Sequence, residues 1–352
     1  MPTYKDEKTG LWYCKFVYTD WTGVRRQKKK KGFRLQKEAK DFEREFLSQT
    51  QISCDMKFRL FVKFYLEDCK ARLKVTTYPD KVSMLNKHIL PYFGELKLNE
   101  ITAATVRQWQ TCMLSSKKYE QTYLKSIHNQ LSAVFNYACK FYGLKENPAR
   151  SCGSMGKKKA DKMDFWTLDE FKAFDESIGN KIVTKTIFNL LYWSGMRSGE
   201  LLALTLRDFD FEARTVTIDK NYARLDKEDL ILDPKTPKSN RTIGLPGLVC
   251  DMVKEYASRL VDYKDGDRLF DVTKHFLYHE MERVSKQSGV KKIRIHDIRH
   301  SHASLLIELG ENILLISERL GHENVQTTLE IYGHLYPNKD GEIAGRLDGL
   351  CA

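Results

Sequence analysis

In the first fifty residues, short stretches of apolar and aromatic side chains are followed by a dense run of basic residues. Aromatic and β-branched residues over 11–18 predict a β-strand, and a very basic segment over 24–32 predicts a second one. Turn-forming residues at 20–23 separate the two, and a third short strand is expected over 33–35. Apolar side chains at helical spacing then predict a helix over 36–49. The pattern therefore predicts a small sheet covered by one helix, with a correspondingly small core.

Residues 51–153 repeat apolar side chains every three or four positions, which is the spacing of an amphipathic helix. About four such stripes follow one another; the second ends near Pro91, and Pro148 closes the segment. The expected architecture is a helical bundle. The four stripes consist of Phe58, Phe61, Val62 and Tyr65; Val82, Leu85, His88 and Ile89; Val106, Trp109 and Met113; and Leu124, Ile127, Leu131, Val134, Phe135 and Ala138.

The rest of the chain mixes helical and strand-like patterns. Helices are predicted over 167–178 and 181–194, and strands over 215–220 and 241–245. Residues 234–240 are expected to form the turn region between strands, and helices then continue to the end of the chain. This segment is therefore predicted to be a mainly helical domain with a small sheet.

Small residues followed by a charge run separate the helical segment from the mixed one. The predicted fold class is a multidomain α+β protein: a small sheet with a helix, a helical bundle, and a mixed, mainly helical domain. The corresponding boundaries are 1–52, 53–153, a basic linker at 154–162, and 163–352.

The net charge of +12 is unevenly distributed. Residues 1–50 contain 13 Lys and Arg against 7 Asp and Glu, and residues 51–150 contain 16 against 8. Residues 151–352 contain 30 against 32, so the whole excess lies in the first 150 residues. Such asymmetry indicates a polyanionic partner, with nucleic acid favoured over an acidic membrane.

The basic residues expected to contact DNA lie in the second strand and the linker. The alternative is that the basic strand is a solvated edge that prevents aggregation. Basic residues beside Trp and Tyr on a small sheet favour DNA contact, and a basic linker can follow a phosphate backbone. The predicted DNA-contacting residues are Arg25, Arg26, Lys28, Lys29, Lys30, Lys31, Lys157, Lys158 and Lys159.

The cysteines and the apolar runs narrow the class of protein further. The 8 cysteines are scattered without a CxxC pair, which disfavours a zinc ribbon or a disulfide framework. No apolar run approaches the ~18 residues that a membrane span needs, and no signal-peptide pattern opens the chain. We expect a cytoplasmic protein, associated with the bacterial nucleoid if it binds DNA.

Four segments of the last domain hold the residues that suggest chemistry. They are SGMRSGELLAL at 194–204, PKTPKSNRTI at 234–243, HDIRHSHA at 296–303, and LGHENVQTTLEIY at 320–332. Together they resemble the tyrosine recombinases, specifically the integrases of phages and conjugative transposons. The resemblance covers the whole last domain and, more loosely, the two modules before it. It implies the catalytic set Arg197, Glu200, Lys235, His296, Arg299, His322 and Tyr332.

The chemistry of phosphodiester cleavage agrees with this set. Arg197 and Arg299 can clamp the non-bridging oxygens, which supplies positive charge without a metal ion. Tyr332 is the expected nucleophile, and its phenol, with an ordinary pKa of ~10, needs a base or positive surroundings. We expect His296 to be the base or proton carrier, and Lys235 the acid that protonates the departing 5′ oxygen.

The remaining two members have supporting roles. His322 is expected to donate to the phosphate. Glu200 lies three residues after Arg197 on the same helix face and is expected to orient neighbouring catalytic groups. No cofactor, metal or ATP is expected.

Several alternatives remain open at this level. Lys238 competes with Lys235, and Tyr336 competes with Tyr332. The spacing of His296 and His300 also allows a zinc site with His302 nearby, although the intervening Arg299 disfavours a bound cation. A chromosome-dimer resolvase of the same family and a non-catalytic DNA-binding regulator are the rival functions.

The resemblance also implies the partners. Residues 1–52 are expected to bind arm-type DNA sites, while 53–153 and 163–352 clamp the core site where strands are exchanged. Four protomers would act on two duplexes as a homotetramer on double-stranded DNA, with an excisionase and a host DNA-bending protein as expected accessory partners and no membrane. The stripe Ile343, Leu347 and Leu350 is expected to pack against a neighbouring protomer.

Overall fold

The structure is a computed structural model, and it divides the chain into two compact units, 1–161 and 162–352. In the described part, no helix is long and apolar enough to cross a membrane. The residues that the structure describes are 3–7, 9–19, 25–50, 55–158, 164–234, 236–264, 266–335 and 350.

The N-terminal module is an antiparallel sheet of β1 (Thr3–Lys5), β2 (Trp12–Thr19) and β3 (Arg25–Phe33), followed by α1 (Gln36–Thr50). The central strand is β2, so the basic β3 is an edge strand. Both long strands and the helix confirm the sequence predictions within one or two residues. The predicted turn at 20–23 lies outside the described residues.

The third strand was predicted at the wrong place. It is β1, whereas the expected segment 33–35 ends β3 and turns into α1. Phe33 packs on Phe42 of α1 with ring centroids 5.4 Å apart, which fixes the chain to the helix. The Glu38 carboxylate accepts the backbone N–H groups of Arg34 and Leu35 at 3.0 and 3.2 Å, so these donors serve the helix start rather than a sheet.

The helical module follows the predicted stripes, and their members line its core except for Val82 and His88, which are only half-buried. A π-helical turn, Leu85–Ile89, continues into another helical turn, so the second helix passes Pro91 and ends at Phe93. Pro91 is tolerated because it lies in the first turn of that segment, where its missing N–H is not needed. The helices are α2 (Phe58–Arg72), α3 (Thr77–Met84), α4 (Leu90–Phe93), α5 (Ala103–Ser115), α6 (Gln121–Tyr142) and α7 (Pro148–Ser151).

The first residues of the predicted linker pack on the helical module. Met155 is buried in its core, and the backbone N–H of Lys157 donates to the Gln121 carbonyl at 3.2 Å. Lys157 and Lys158 are exposed, and Lys159 lies outside the described residues. Only the later part of 154–162 therefore remains as a candidate connection between the units.

The second unit confirms the helices predicted over 167–178 and 181–194 and the strands predicted over 215–220 and 241–245, each within about two residues. Helices continue to Tyr332, and residues 336–349, where more helix was predicted, lie outside the described residues. The unit also contains a hairpin that the sequence did not reveal. Asp226 and Lys227 form its two-residue turn with φ of 49° and 72°, values that Gly or Asn usually adopts. The elements are α8 (Leu168–Glu176), α9 (Ile182–Ser194), α10 (Ser198–Leu201), β4 (Phe209–Asp210), β5 (Thr215–Ile218), β6 (Asn221–Leu225), β7 (Glu228–Leu232), β8 (Arg241–Gly244), α11 (Gly247–Ser258), α12 (Lys274–Ser288), α13 (Asp297–Glu308), α14 (Ile313–Leu320) and α15 (Val325–Tyr332).

The core of this unit surrounds α9. Ile187, Phe188, Leu190, Leu191 and Tyr192 are all buried, so apolar side chains occupy most of the circumference of this helix. The antiparallel strands β4, β5 and β8 form one sheet, and β6 pairs with β7 in a separate hairpin. The central position of α9 fixes the turn at its C-terminal end, from which the candidate site begins.

Candidate active site and DNA-contact surfaces

The site begins where α9 ends. Gly195 adopts the left-handed conformation with φ of +66°, and the chain turns into α10. Arg197 caps α10 and Glu200 lies inside it. The Arg197 Nη1 atom donates to Glu200 Oε1 at 2.6 Å, and the Arg197 backbone N–H donates to Oε2 at 2.9 Å. Glu200 thereby fixes both the backbone and the side chain of Arg197.

A second arginine shares this carboxylate. Arg241, the first residue of β8, donates from Nη2 to Glu200 Oε2 at 2.9 Å and from Nε to the Arg319 carbonyl at 2.8 Å. Burial raises the pKa of Glu200, but Arg241 and Arg197 outweigh burial and hold the pKa below its usual value. Arg241 lies in the motif at 234–243, but the sequence alone assigned it no role; the available signal was an arginine at the start of a predicted strand.

Arg299 is buried and joins two other elements. Its Nη1 donates to the Gly195 carbonyl at 2.9 Å, and its Nη2 to the Leu320 carbonyl at 2.5 Å. Burial, and next the positive charge of Arg197, lower the pKa of Arg299 to about 9. Because a guanidinium has five N–H donors, two bonds to carbonyls still leave donors for a phosphate.

His322 follows directly after α14, whose last turn ends at the left-handed Gly321. The His322 Nδ1 atom lies 2.8 Å from Thr328 Oγ1. Burial lowers the pKa of His322 to about 3, with Arg299 and Arg197 contributing in the same direction. The ring is therefore neutral at pH 7 and is held by Thr328 in one orientation.

Tyr332 ends α15 and is fully buried. Its phenol oxygen lies 2.5 Å from Nδ1 of His300. Burial raises the pKa of Tyr332, and Arg299 opposes that rise only partly. Burial and the neighbouring His296 lower the pKa of His300 to about 4, so the pair at pH 7 is a neutral phenol and a neutral imidazole.

His300, not His296, contacts the expected nucleophile. His296 caps α13 and is exposed, and the centroid of its ring lies 5.2 Å from the ring centroid of His300. Partial burial, together with Arg299, lowers the pKa of His296. Sequence reasoning considered His300 only as a metal ligand; among the described residues, no three or more His, Cys, Asp or Glu are grouped to hold a metal ion.

Lys235 and Tyr336 lie outside the described part of the chain. The choice of Lys235 over Lys238 and the choice of Tyr332 over Tyr336 therefore stay predictions. Lys238 lies in a short 3-10 turn, Pro237–Ser239, and is exposed. Ile343 and Leu347 of the tail stripe also lie outside the described residues, and Leu350 is 84% exposed.

The basic strand presents its charges on both faces of the sheet. The register pairs Tyr13 with Lys31, Lys15 with Lys29, and Cys14 with Lys30. Because Cys14 is buried under α1, Lys30 lies on the helix side, whereas Lys29 and Lys31 lie on the opposite face, here called the open face. Arg25 shares the open face, and Arg26 and Lys28 share the helix side.

Two tyrosines and a like-charge pair mark the open face. Tyr4 and Tyr13 stack with ring centroids 5.4 Å apart, and the Lys29 ammonium lies 4.8 Å from the Tyr13 ring centroid. Lys15 and Lys29 are directly opposed across the strands, an arrangement that costs stability in the absence of an anion. Sequence reasoning did not include Lys15 among the DNA-contacting residues; its alternation with the buried Cys14 and Phe16 was the available signal.

Three family models match the chain in sequence order. The Arm DNA-binding domain matches residues 2–50, the N-terminal SAM-like domain of phage integrases matches 57–114, and the phage integrase family matches 164–339. The last match covers half of the chain and contains all seven residues of the expected catalytic set.

Individual proteins agree with the family models. The ICEBs1 integrase of Bacillus subtilis (strain 168) is 30% identical over 335 residues, covering 90% of this chain and 89% of that protein. A XerC-like tyrosine recombinase of Caldanaerobacter subterraneus subsp. tengcongensis is 26% identical over 72% of this chain and 73% of its own. The Tn1549 transposon integrase in complex with transposon right end DNA has the same fold, with a TM-score of 0.69 at 18% identity over 84% of this chain and all of that one. This chain therefore belongs to the phage integrase family of tyrosine recombinases, and it is a site-specific DNA recombinase of the integrase type.

Proposed function

We propose that this recombinase cleaves one DNA strand with Tyr332, forms a 3′-phosphotyrosyl link and releases a 5′ hydroxyl. That hydroxyl then attacks the phosphotyrosine of a partner strand, so the bond energy is kept and no ATP is needed. The observation that supports the proposal is that Arg197, Arg299 and His322 lie close enough to influence one another electrostatically, and that Arg299 also influences the buried phenol of Tyr332. Arg299 connects these segments because it donates to the carbonyls of Gly195 and Leu320.

The two arginines are assigned to the phosphate. Arg197 has a side chain 30% exposed, so part of its guanidinium faces solvent while Glu200 holds the rest. Arg299 is 2% exposed, so we assign it to bind the phosphate from the buried side of the site. Guanidinium donors already fixed by protein contacts need little reorganisation when negative charge develops on the non-bridging oxygens. Glu200 orients Arg197 and balances its charge before DNA binds.

The histidines on the surface of the site are assigned to donation. His322 is neutral, and we assign it the tautomer in which Nδ1 accepts from Thr328 Oγ1 and Nε2 carries the ring proton that donates to a phosphate oxygen. We assign the exposed His296 to the incoming phosphate as well. Lys235 is assigned to protonate the departing 5′ oxygen.

The N-terminal module is assigned to accessory arm sites through its open face. Tyr13, Lys15, Lys29 and Lys31 form a polar, positively charged surface on a small sheet, and a sheet of this size fits the major groove. Lys157, Lys158 and Lys159 are assigned to the phosphate backbone beside the core site. A chromosome-dimer resolvase is disfavoured because such enzymes lack the arm domain that residues 2–50 match.

The reaction requires several protomers. We assign a homotetramer on two duplexes, with the tail after Tyr332 packing on a neighbouring protomer, and an excisionase and a host DNA-bending protein as accessory partners. The assigned compartment is the cytoplasm, at the nucleoid. The mobile element carrying the gene supplies the natural substrates, because its two ends hold the attachment sites.

Recombination between the circular junction of the element and its empty target site tests the proposal. The gene is sequenced with its flanking DNA, and the circular junction and empty target site are placed on two plasmids with purified protein. Joined products whose junctions match the flanking direct repeats are expected. Sequence-specific binding without any joined or covalent product would instead identify a non-catalytic regulator.

A further inference from the structure

The phenol of Tyr332 has an acceptor within the protein. His300 Nδ1 lies 2.5 Å from the phenol oxygen, and the two rings lie 5.5 Å apart between centroids. Tyr332 is fully buried and His300 is 9% exposed, so bulk water has little access to the pair. The proton of the nucleophile must therefore pass to a protein group or to the DNA.

The geometry separates the two histidines of the motif. His296 is exposed at the start of α13, while His300 lies one turn later and faces α15. In a neutral imidazole, one nitrogen donates and the other accepts. The 2.5 Å contact fits the tautomer of His300 whose ring proton is on Nε2. In that tautomer the phenol O–H donates to Nδ1, and the Nδ1 lone pair can take the proton.

We propose that His300, rather than His296, is the general base that accepts the proton of Tyr332. This inference rests on the proposed function and assigns its proton-transfer step. The phenol oxygen attacks phosphorus as its O–H bond breaks, and the proton moves to His300 Nδ1. The bond from phosphorus to the 5′ oxygen breaks, and that oxygen takes a proton from Lys235. In rejoining, the 5′ hydroxyl attacks phosphorus and its proton returns to the neutral amine of Lys235. The bond from phosphorus to the phenol oxygen breaks, and the imidazolium of His300 returns its proton to that oxygen.

The cluster around His300 suits a transient base. Asp297 carries a negative charge close to His300, while Arg299 and Arg294 carry positive charges. These cations, with burial, keep the imidazole neutral before DNA binds, so Nδ1 is available. A bound phosphate adds negative charge beside Arg299, which favours the imidazolium at the moment when the proton moves.

His300→Asn tests the assignment with the least disturbance. The Asn amide oxygen can occupy the place of Nδ1 and keep a hydrogen bond with the phenol, but it cannot take the proton at neutral pH. Full-length protein is incubated with a nicked core-site duplex, and the covalent complex is followed on a denaturing gel. The rate is expected to fall roughly 10²- to 10⁴-fold, the usual contribution of a general base. Core-site binding in a gel shift should stay within about twofold.

A substrate with sulfur at the bridging 5′ position separates the base from the acid. A thiolate leaves without protonation, so Lys235→Ala should recover cleavage on this DNA, whereas His300→Asn should not. His296→Asn is the matched control from the same motif. Equal losses for His296→Asn and His300→Asn on ordinary DNA, both recovered by the sulfur substrate, would overturn the assignment.

Imidazole rescue distinguishes proton transfer from packing. His300→Ala opens space beside the phenol, and added imidazole should raise its cleavage rate at least tenfold without affecting Tyr332→Phe. A rate for His300→Asn equal to that of the unaltered protein sinks this inference alone. A covalent complex that persists in Tyr332→Phe sinks the proposed function itself.

Discussion

Arg241 and Glu200 lie 41 positions apart in the chain, yet their side chains meet at 2.9 Å inside the second unit. The Arg241 side chain is 7% exposed and that of Glu200 is 4% exposed. The same carboxylate holds Arg197, so one acidic group neutralises two arginines and connects β8 to α10. Arg241 also donates from Nη1 to the Ser239 carbonyl at 2.9 Å, so the shared carboxylate connects the turn Pro237–Ser239 to the arginine expected to bind the phosphate.

Removing the Glu200 charge should destabilise the protein. In Glu200→Gln, Arg241 stays buried without a counter-charge, which we expect to cost about 3 kcal/mol of unfolding free energy. Urea denaturation followed by circular dichroism measures the loss. The matched control is Glu212→Gln, at an exposed position, which should change stability by less than about 0.5 kcal/mol. Equal stability of the two variants would contradict the role of the shared carboxylate.

The same carboxylate predicts a pH dependence. The pKa of Glu200 is lower in the folded chain than in the unfolded one, so its stabilising effect is complete above the unfolded pKa, roughly 4.5. That effect is lost as the pH falls through the folded pKa. The stability gap between the unaltered protein and Glu200→Gln should therefore be constant from pH 6 to 8 and shrink below about pH 4. A stability difference that widens on acidification would contradict a lowered pKa of Glu200 in the folded chain.

Gly195→Ala should damage the site through a steric clash. A Cβ atom at Gly195 would lie 2.5 Å from Cδ2 of the His302 ring and 3.0 Å from Cδ2 of Leu320, and φ is +66°. Gly179→Ala is the matched control, since its φ is +69° and the surrounding space is open. The control should lose only the strain of the left-handed conformation, about 1 kcal/mol, and Gly195→Ala distinctly more. We expect at least a tenfold loss of cleavage for Gly195→Ala, because its carbonyl holds Arg299.

Tyr332→Phe should abolish covalent attachment to DNA and leave binding nearly unchanged, because only the nucleophilic oxygen is lost. Nicked core-site duplex and a denaturing gel give the measurement. Tyr336→Phe is the control and should retain the covalent band. The opposite pattern would move the nucleophile to Tyr336.

Strand cleavage should proceed in EDTA. In the proposed mechanism, Arg197, Arg299 and Lys235 supply the positive charge that a metal ion would otherwise bring to the phosphate. The initial rate of covalent-complex formation is compared in EDTA and in magnesium or zinc. Strict dependence on either metal would overturn the assigned chemistry.

The two faces of β3 should differ in DNA binding. Replacing Lys15 and Lys29 with Ala removes two open-face charges, and replacing Lys28 and Lys30 removes two charges on the helix side. Arm-site affinity should fall more for the first pair, and its salt slope should decrease by about 2, since each lost phosphate contact accounts for roughly 0.9. Gel shifts of full-length protein at several salt concentrations provide the test. Identical slopes for both pairs would indicate a contact made from the strand edge.

The sequence by itself determined the features that repeat over short distances. The helical stripes, the alternation of β2 and the i, i+3 placement of Arg197 and Glu200 all follow from the period of one element. The motifs around His296, Arg299 and Tyr332 indicated the family for the same reason, since each is a short run of residues with fixed spacing. The strand predicted at 33–35 was wrong because local contacts at the start of α1 replace sheet pairing there. Phe33 packs on Phe42, and Glu38 accepts the backbone N–H of Arg34.

Only the tertiary structure decided which side chains meet across elements. The bonds of Arg241 to Glu200, of Arg299 to the Gly195 carbonyl and of His300 to Tyr332 span 41, 104 and 32 positions. At the start of α13 the spacing allows either His296 or His300 to contact Tyr332, and the packing of α15 brings Tyr332 against His300. The face of each β3 lysine likewise depended on the register with β2. Such contacts are set by how whole elements pack around α9, and no local pattern of residues encodes that arrangement.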